Sequence, residues 1–129
     1  GFCLALALFF EARSEPMVGW LAVGHVIMTR VKRRNWPNTI CKVVWQKKQF
    51  SFTHDGLPDD PTKFKANKDK IAWKRAQILE DMMIDTHIVY DPSKGADHYH
   101  NNTVDPYWNT VYKHTVTIGN HLFYKRVLM

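Results

Sequence analysis

Read for its apolar positions, the chain opens on FCLALALFFEA, Phe2 to Ala12, a segment apolar nearly all round. A helix without a polar face belongs inside a fold, so this stretch predicts a helix buried through the middle of the protein. Arg13-Ser14-Glu15-Pro16 interrupts it, and Pro16 suits the first turn of a second helix with Ser14 or Glu15 as its cap. Val18, Leu21, Ala22, Val23, Val26, Ile27 and Val31 then recur at helical spacing. Lys32, Arg33 and Arg34 close that element, as cations favour a helix C-terminus. Past the break at Asn35-Trp36-Pro37-Asn38, the residues Ile40, Val43 and Val44 mark a short third helix.

The pattern then changes character. KKQFSFTHDGLPDDPTKFKANKD, Lys47 to Asp69, carries prolines, a DG pair and the alternating Phe50 and Phe52, and reads as an irregular lobe with short strands. Ile71 to Met83 is an amphipathic helix whose expected apolar face is Ile71, Ile78, Leu79, Met82 and Met83. Alternation returns in Ala96-Asp97-His98-Tyr99-His100, and HTVTI and HLFYK flank Gly119-Asn120, a strong hairpin signal. No internal repeat or linker divides the chain, so the expectation is one α+β domain over residues 1–129, predominantly helical with a small β-hairpin and irregular lobe.

Composition narrows this only a little. The chain has 129 residues, 45% hydrophobic and 23% charged, which is globular rather than disordered. A formal charge of +6 suits a polyanionic partner: nucleic acid, an acidic membrane face or a bacterial wall. The charge is dispersed and no zinc-finger, RNP-like or helix-turn-helix signature accompanies it, which weighs against a basic nucleic-acid module. Cys3 and Cys41 have no CxxC spacing. Buried free thiols are the expected state, with a bridge between the first and third helices as the alternative. FCLALALFF resembles a signal-peptide core but lacks a basic flank and a cleavage site, and it is far shorter than the ~20 residues a membrane span needs. Stable membrane insertion is therefore not expected.

Four groupings could carry chemistry. Glu11 ends the apolar run. A carboxylic acid in an apolar wall has a raised pKa and can donate a proton near neutrality, as cleavage of a glycosidic bond requires. The same position equally suits a helix-end glutamate paired with Arg13 or a lysine. Gln49, Ser51 and their aromatic neighbours suit a sugar, since rings pack on pyranose faces while amides and hydroxyls hold its polar groups. A strand with one buried face explains that alternation as well. His98 and His100 share a strand face and could ligate zinc with His25 or His121, although no HExxH motif is present. Ser14, Ser51 and Ser93 lack a GxSxG elbow, and glycine loops for phosphate are absent.

Taken together, these blocks resemble the SleB-type cell wall hydrolases, a family that includes spore cortex-lytic enzymes and phage lysins. The similarity runs in order through FEARSEPMVGWLAVGHVIMTRV (Phe10 to Val31), WPNTICKVVWQKKQFS (Trp36 to Ser51), GADHYHNN (Gly95 to Asn102) and IGNHLFYK (Ile118 to Lys125). It implies a lysozyme-like fold, action on peptidoglycan glycan strands, and Glu11 as the catalytic glutamate, the first in the family's EAR-x-E motif; no cofactor or metal is expected. The implied reaction is a lytic transglycosylase's, which one carboxylate can perform. The alternatives are a hydrolytic muramidase, for which Glu15, Asp55, Asp59 and Asp60 are the candidate second carboxylates, a zinc-dependent peptide-stem hydrolase and a non-catalytic basic module. Gln49, Ser51 and Tyr99 are the expected substrate contacts, with Asn120 and His121 also candidates although a hairpin turn would explain them structurally. The expected setting is the bacterial wall, acted on by a monomer in the periplasm or outside the cell, with release from a host cytoplasm as a phage lysin one route. Two departures from the family stand out: Ser14 where glycine is usual, and His98-Tyr99-His100 where consecutive tyrosines are common.

Overall fold

The computed structural model describes residues 2–46, 50, 52, 60–85 and 90–126. Four helices precede three strands: α1 (Cys3–Ala12), α2 (Met17–Val31), α3 (Ile40–Val44), α4 (Asn67–Asp85), β1 (His98–Asn101), β2 (Lys113–Ile118) and β3 (His121–Lys125). Short 3-10 turns sit at Pro61–Lys63 and Tyr107–Thr110. The fold is α+β and about half helical, with a small antiparallel sheet in the order β1-β3-β2.

Helix α1 runs through the centre, as its lack of a polar face requires. Leu4, Ala5, Ala7, Leu8, Phe9 and Ala12 are completely buried, and α2, α3 and α4 pack around them. Its N-terminus has no capping side chain of its own. Glu80 of α4 supplies the missing acceptor, taking the Ala5 N–H at 2.9 Å. Burial raises the Glu80 pKa, and the Ala5 N–H opposes that rise.

Three expectations need correction. Pro16 occupies the N-cap position of α2 itself, with no side-chain cap, so neither Ser14 nor Glu15 serves there. The Glu15 carboxylate is drawn across the fold instead, as described below. Cys3 and Cys41 are joined in a disulfide, their Cα atoms 5.2 Å apart, because packing of α3 on α1 brings the two positions together. In the chain-entropy account, closing this 38-residue separation contributes about 4 kcal/mol.

The third correction concerns α4. Its inward face is Ala72, Ala76, Leu79, Glu80 and Met83, while Ile71, Ile78 and Met82 are 63%, 50% and 44% exposed. Of the expected apolar face, Leu79 and Met83 are buried as anticipated, whereas Ile71, Ile78 and Met82 turn outward. Small residues win the inner face because α4 lies close against α1. Met83 fills the space left by Gly24 of α2, where an added Cβ would lie 2.6 Å from the Met83 sulfur.

The sheet forms as its alternation predicts. Gly119-Asn120 joins β2 to β3, with Gly119 at φ +55°, a conformation a two-residue hairpin needs and glycine adopts without strain. Tyr99 of β1 pairs with Phe123 of β3. The register between β2 and β3 shifts between His114 and Val116, where a bulge inserts Thr115.

Candidate active site

Glu11 lies in the last turn of α1, and β1 crosses beside it. The alternation of β1 turns Tyr99 toward the helices and puts His98 and His100 on the opposite face. Tyr99 donates its hydroxyl to Glu11 Oε1 at 2.5 Å, across 88 residues of sequence. Behind them lies Arg30 of α2, itself buried, whose Nε donates to the Asp97 carbonyl at 2.8 Å and whose guanidinium sits over the Trp36 and Phe50 rings.

These neighbours set the protonation of the site. Burial pushes the Glu11 pKa above the ordinary carboxylate value, and it outweighs the Tyr99 hydrogen bond and the Arg30 charge, both of which pull it down. Burial likewise pushes the Tyr99 phenol well above 10, with the Glu11 charge adding to the effect. Tyr99 therefore stays neutral and remains a donor. Burial lowers the Arg30 pKa, yet an arginine keeps its proton in such a setting. Glu11 is thus a carboxyl that holds its proton more tightly than an exposed one and, once ionised, is stabilised by one hydroxyl and one cation.

Asp97 organises this side of the site and has no solvent exposure. Its carboxylate accepts from Arg33 at 2.8 Å, from the Arg126 N–H at 2.9 Å and lies 2.8 Å from His98 Nδ1. Burial pushes its pKa up, but these hydrogen bonds and the nearby cations prevail and hold it below the usual value. By fixing the start of β1, Asp97 sets the reach of Tyr99 toward Glu11. The sequence reading missed both Asp97 and Arg30. A polar residue at an inward strand position and an arginine inside an apolar helical stripe were the available signals.

Glu15, four residues after Glu11, has a different environment. Buried at the α1–α2 turn, it accepts the Asn120 N–H at 2.9 Å and the Asn120 side-chain amide at 3.2 Å. His121 Nδ1 is 3.7 Å from the same carboxylate and has no hydrogen-bond partner. Burial lowers the His121 pKa, with the Glu15 charge opposing and His100 reinforcing. The His121 ring packs on Tyr99 at 4.9 Å between centroids.

Of the residues singled out from sequence, the structure brings Glu11 and Tyr99 into contact and places His121 against Tyr99. Asn120 faces Glu15. Gln49 and Ser51 lie outside the described residues, as do Asp55 and Asp59. Asp60 accepts from Thr62 and lies in the 3-10 turn that leads to α4. His100 is engaged through Nδ1 with the Asn101 carbonyl and through Nε2 with Tyr124. Among the described residues no three His, Cys, Asp or Glu side chains converge as a metal site would require.

A carboxyl of raised pKa at a helix end thus lies against the small sheet of this α+β frame. The family model described as Cell Wall Hydrolase matches residues 14–124, and the chain belongs to that family. The spore cortex-lytic enzyme of Bacillus cereus is 31% identical over 123 residues, which cover 95% of this chain and 42% of that protein. The corresponding enzyme of Bacillus subtilis is 27% identical, over 93% of this chain and 35% of that protein. The chain therefore spans about two fifths or less of the curated relatives it matches. Among solved structures, the catalytic domain of the germination-specific lytic transglycosylase SleB from Bacillus anthracis superposes with a TM-score of 0.68 at 28% identity, covering 96% of this chain and 92% of that one. The SleB catalytic domain of Bacillus cereus does so with a TM-score of 0.67 at 27% identity, covering 96% and 88%.

Proposed function

We propose that this chain is a single catalytic domain that cleaves peptidoglycan glycan strands as a lytic transglycosylase, with Glu11 as its acid and base. The observation that carries the reading is the half-buried Glu11 carboxyl, its pKa raised and Tyr99 donating to it, in a chain of the cell wall hydrolase family. Protonated Glu11 gives its proton to the glycosidic oxygen between N-acetylmuramic acid and N-acetylglucosamine, and the bond breaks toward an oxocarbenium-like centre. The leaving sugar keeps that proton. Ionised Glu11, held by Tyr99 and faced by Arg30, then takes the proton of the muramic acid C6 hydroxyl as that oxygen bonds to C1. The product is a 1,6-anhydro sugar; no water is consumed, and Glu11 regains its starting state.

Among the described residues, the surroundings of Glu11 support a one-carboxylate mechanism. Glu15 is occupied by Asn120 and Asp97 by Arg33, His98 and Arg126, so neither is placed to activate a water. Gln49, Ser51 and Tyr99 are the proposed substrate contacts, with Asn120 and His121 as further candidates. The Cys3–Cys41 disulfide fits a protein that works in an oxidising compartment, at the wall rather than in the cytoplasm. A charge of +6 favours an anionic wall as the surface on which a monomer acts. No described helix is long and apolar enough to cross a membrane; the wall is reached by export or, for a phage-type lysin, through a breached membrane.

Mass spectrometry of muropeptides released from purified peptidoglycan tests the reading. Anhydro-ended products, each one water lighter than hydrolytic ones, are expected from wild type and absent with Glu11→Gln. Reducing-end muramic acid would replace the mechanism with hydrolysis, and unchanged release by the variant would remove Glu11 from the chemistry.

A further inference from the structure

Two residues beyond Glu11 the chain borders a cavity of about 380 Å³ that the mechanism above does not use. Its lining is Arg13, Ser14, Phe64, Lys68 and Asp69. Two cations against one carboxylate leave it net positive, with one hydroxyl and one ring completing the wall. Two other cavities differ in kind. One, between α2 and α4, is apolar except for Arg75. The other, beside the disulfide, has Glu80 as its charged group, already bound to the Ala5 N–H.

Arg13 is held ready. Its guanidinium lies over the Phe9 ring at 4.7 Å and the Phe64 ring at 5.1 Å, and a single terminal nitrogen donates to Asp69 at 3.2 Å. A guanidinium carries five N–H donors in a planar fork, so this contact leaves donors for a second, planar partner. Lys68 is exposed and makes no hydrogen bond or ion pair among the described residues. A preorganised fork beside a loosely held ammonium is a combination suited to a carboxylate. The volume is within the range of small-ligand sites.

We propose that this cavity is a subsite for the carboxylates of the peptide stem, an inference that rests on the glycan-cleaving reading above. The stem hangs from the lactyl group of muramic acid, next to the bond that would be cut. The N-acetylated sugar rings carry no charge, so the cations of this cavity, which begins two residues along the chain from the acid, have no counterpart on the rings themselves. Stem carboxylates supply one, with Arg13 and Lys68 as their partners and Phe64 against the apolar part of the stem.

The test separates this subsite from the chemistry. Titration calorimetry with the wild-type protein compares N-acetylmuramyl-L-alanyl-D-glutamate with the same compound amidated at both carboxylates. The acid is expected to bind about tenfold more tightly at low salt. Lys68→Gln should reduce that preference about threefold and the Arg13→Gln, Lys68→Gln double variant should erase it; Lys68, on an exposed helix surface, keeps the test valid if Arg13→Gln folds poorly. Equal binding of acid and amide, or a preference that survives both substitutions, would overturn the proposal. N-acetylmuramic acid, whose lactyl carboxylate is free, separates the two sources of charge: affinity equal to that of the stem compound would move the contact to the lactyl group and sink the stem assignment. Charge-dependent binding by a protein that leaves glycan intact would keep the subsite and overturn the transglycosylase reading, and cleavage with charge-blind binding would do the reverse.

Discussion

Glu11 and Glu15 belong to one five-residue segment, the first half-buried and the second buried, and their surroundings differ in kind. Glu11 meets one neutral hydroxyl and a cation behind it. Glu15 meets a backbone N–H and a side-chain amide from one turn, with His121 alongside. Dedicated donors satisfy a carboxylate and hold a structure together; too few donors leave it a reservoir for a proton. The comparison teaches that burial alone does not mark a catalytic acid. The number and kind of donors facing it do.

The largest expected effect comes from erasing the proton on one side of this pair. Glu11→Gln should lower the rate of strand cleavage about a thousandfold, the scale of a lost general acid. The same variant should be more stable than wild type at neutral pH. The folded pKa of Glu11 is raised, so its ionisation opposes folding once pH exceeds the unfolded value, and a neutral amide avoids that cost. Thermal melts at pH 7 and near pH 4 check the sign, because the advantage should vanish where both states hold the proton.

Glu15→Ala should behave in the opposite sense. It removes the acceptor for two Asn120 donors and should destabilise the fold by about 2–3 kcal/mol, read by denaturant unfolding. A wild-type melt combined with lost activity would instead make Glu15 a second catalytic carboxylate. Gly119→Ala probes the same clamp from the other side. The added Cβ would lie 2.5 Å from Glu15 Oε1 at a φ of +55°, and a cost of about 1–2 kcal/mol is expected.

The smallest effect is a displacement along the pH axis. The Tyr99 hydroxyl holds the Glu11 pKa down, so Tyr99→Phe should let it rise further. A general acid loses activity as pH rises through its pKa. The alkaline limb of kcat/KM should therefore move to higher pH in this variant. A limb that stays in place would mean that the Tyr99 hydrogen bond does not govern Glu11 during turnover.

Much of this frame is readable along the chain. The burial of α1, the stripe of α2, the short α3 and the Gly119-Asn120 hairpin all follow from period and turn chemistry, which act over a few residues. Glu11 too stands out by its apolar approach, although its role was weighted by resemblance rather than by spacing. The inward face of α4 is not readable in the same way. Ile71, Ile78 and Met82 are as apolar as any core residue, yet Ala72 and Ala76 face inward because the gap beside α1 is narrow. The cysteine pair is similar, since two thiols 38 residues apart carry no local sign of meeting.

By itself the sequence determined the order and type of the elements and the presence of an acid at the end of a buried helix. Tertiary structure alone decided what that acid meets. Tyr99 reaches Glu11 across 88 residues and Asn120 reaches Glu15 across 105, and such distances lie beyond any periodicity or turn signal. Helical and strand patterns are enforced by neighbouring backbone and side chains, whereas a carboxylate's protonation depends on every group that packing brings within a few ångströms. Two glutamates of one motif therefore came into such different surroundings only when the sheet closed over the helix turn.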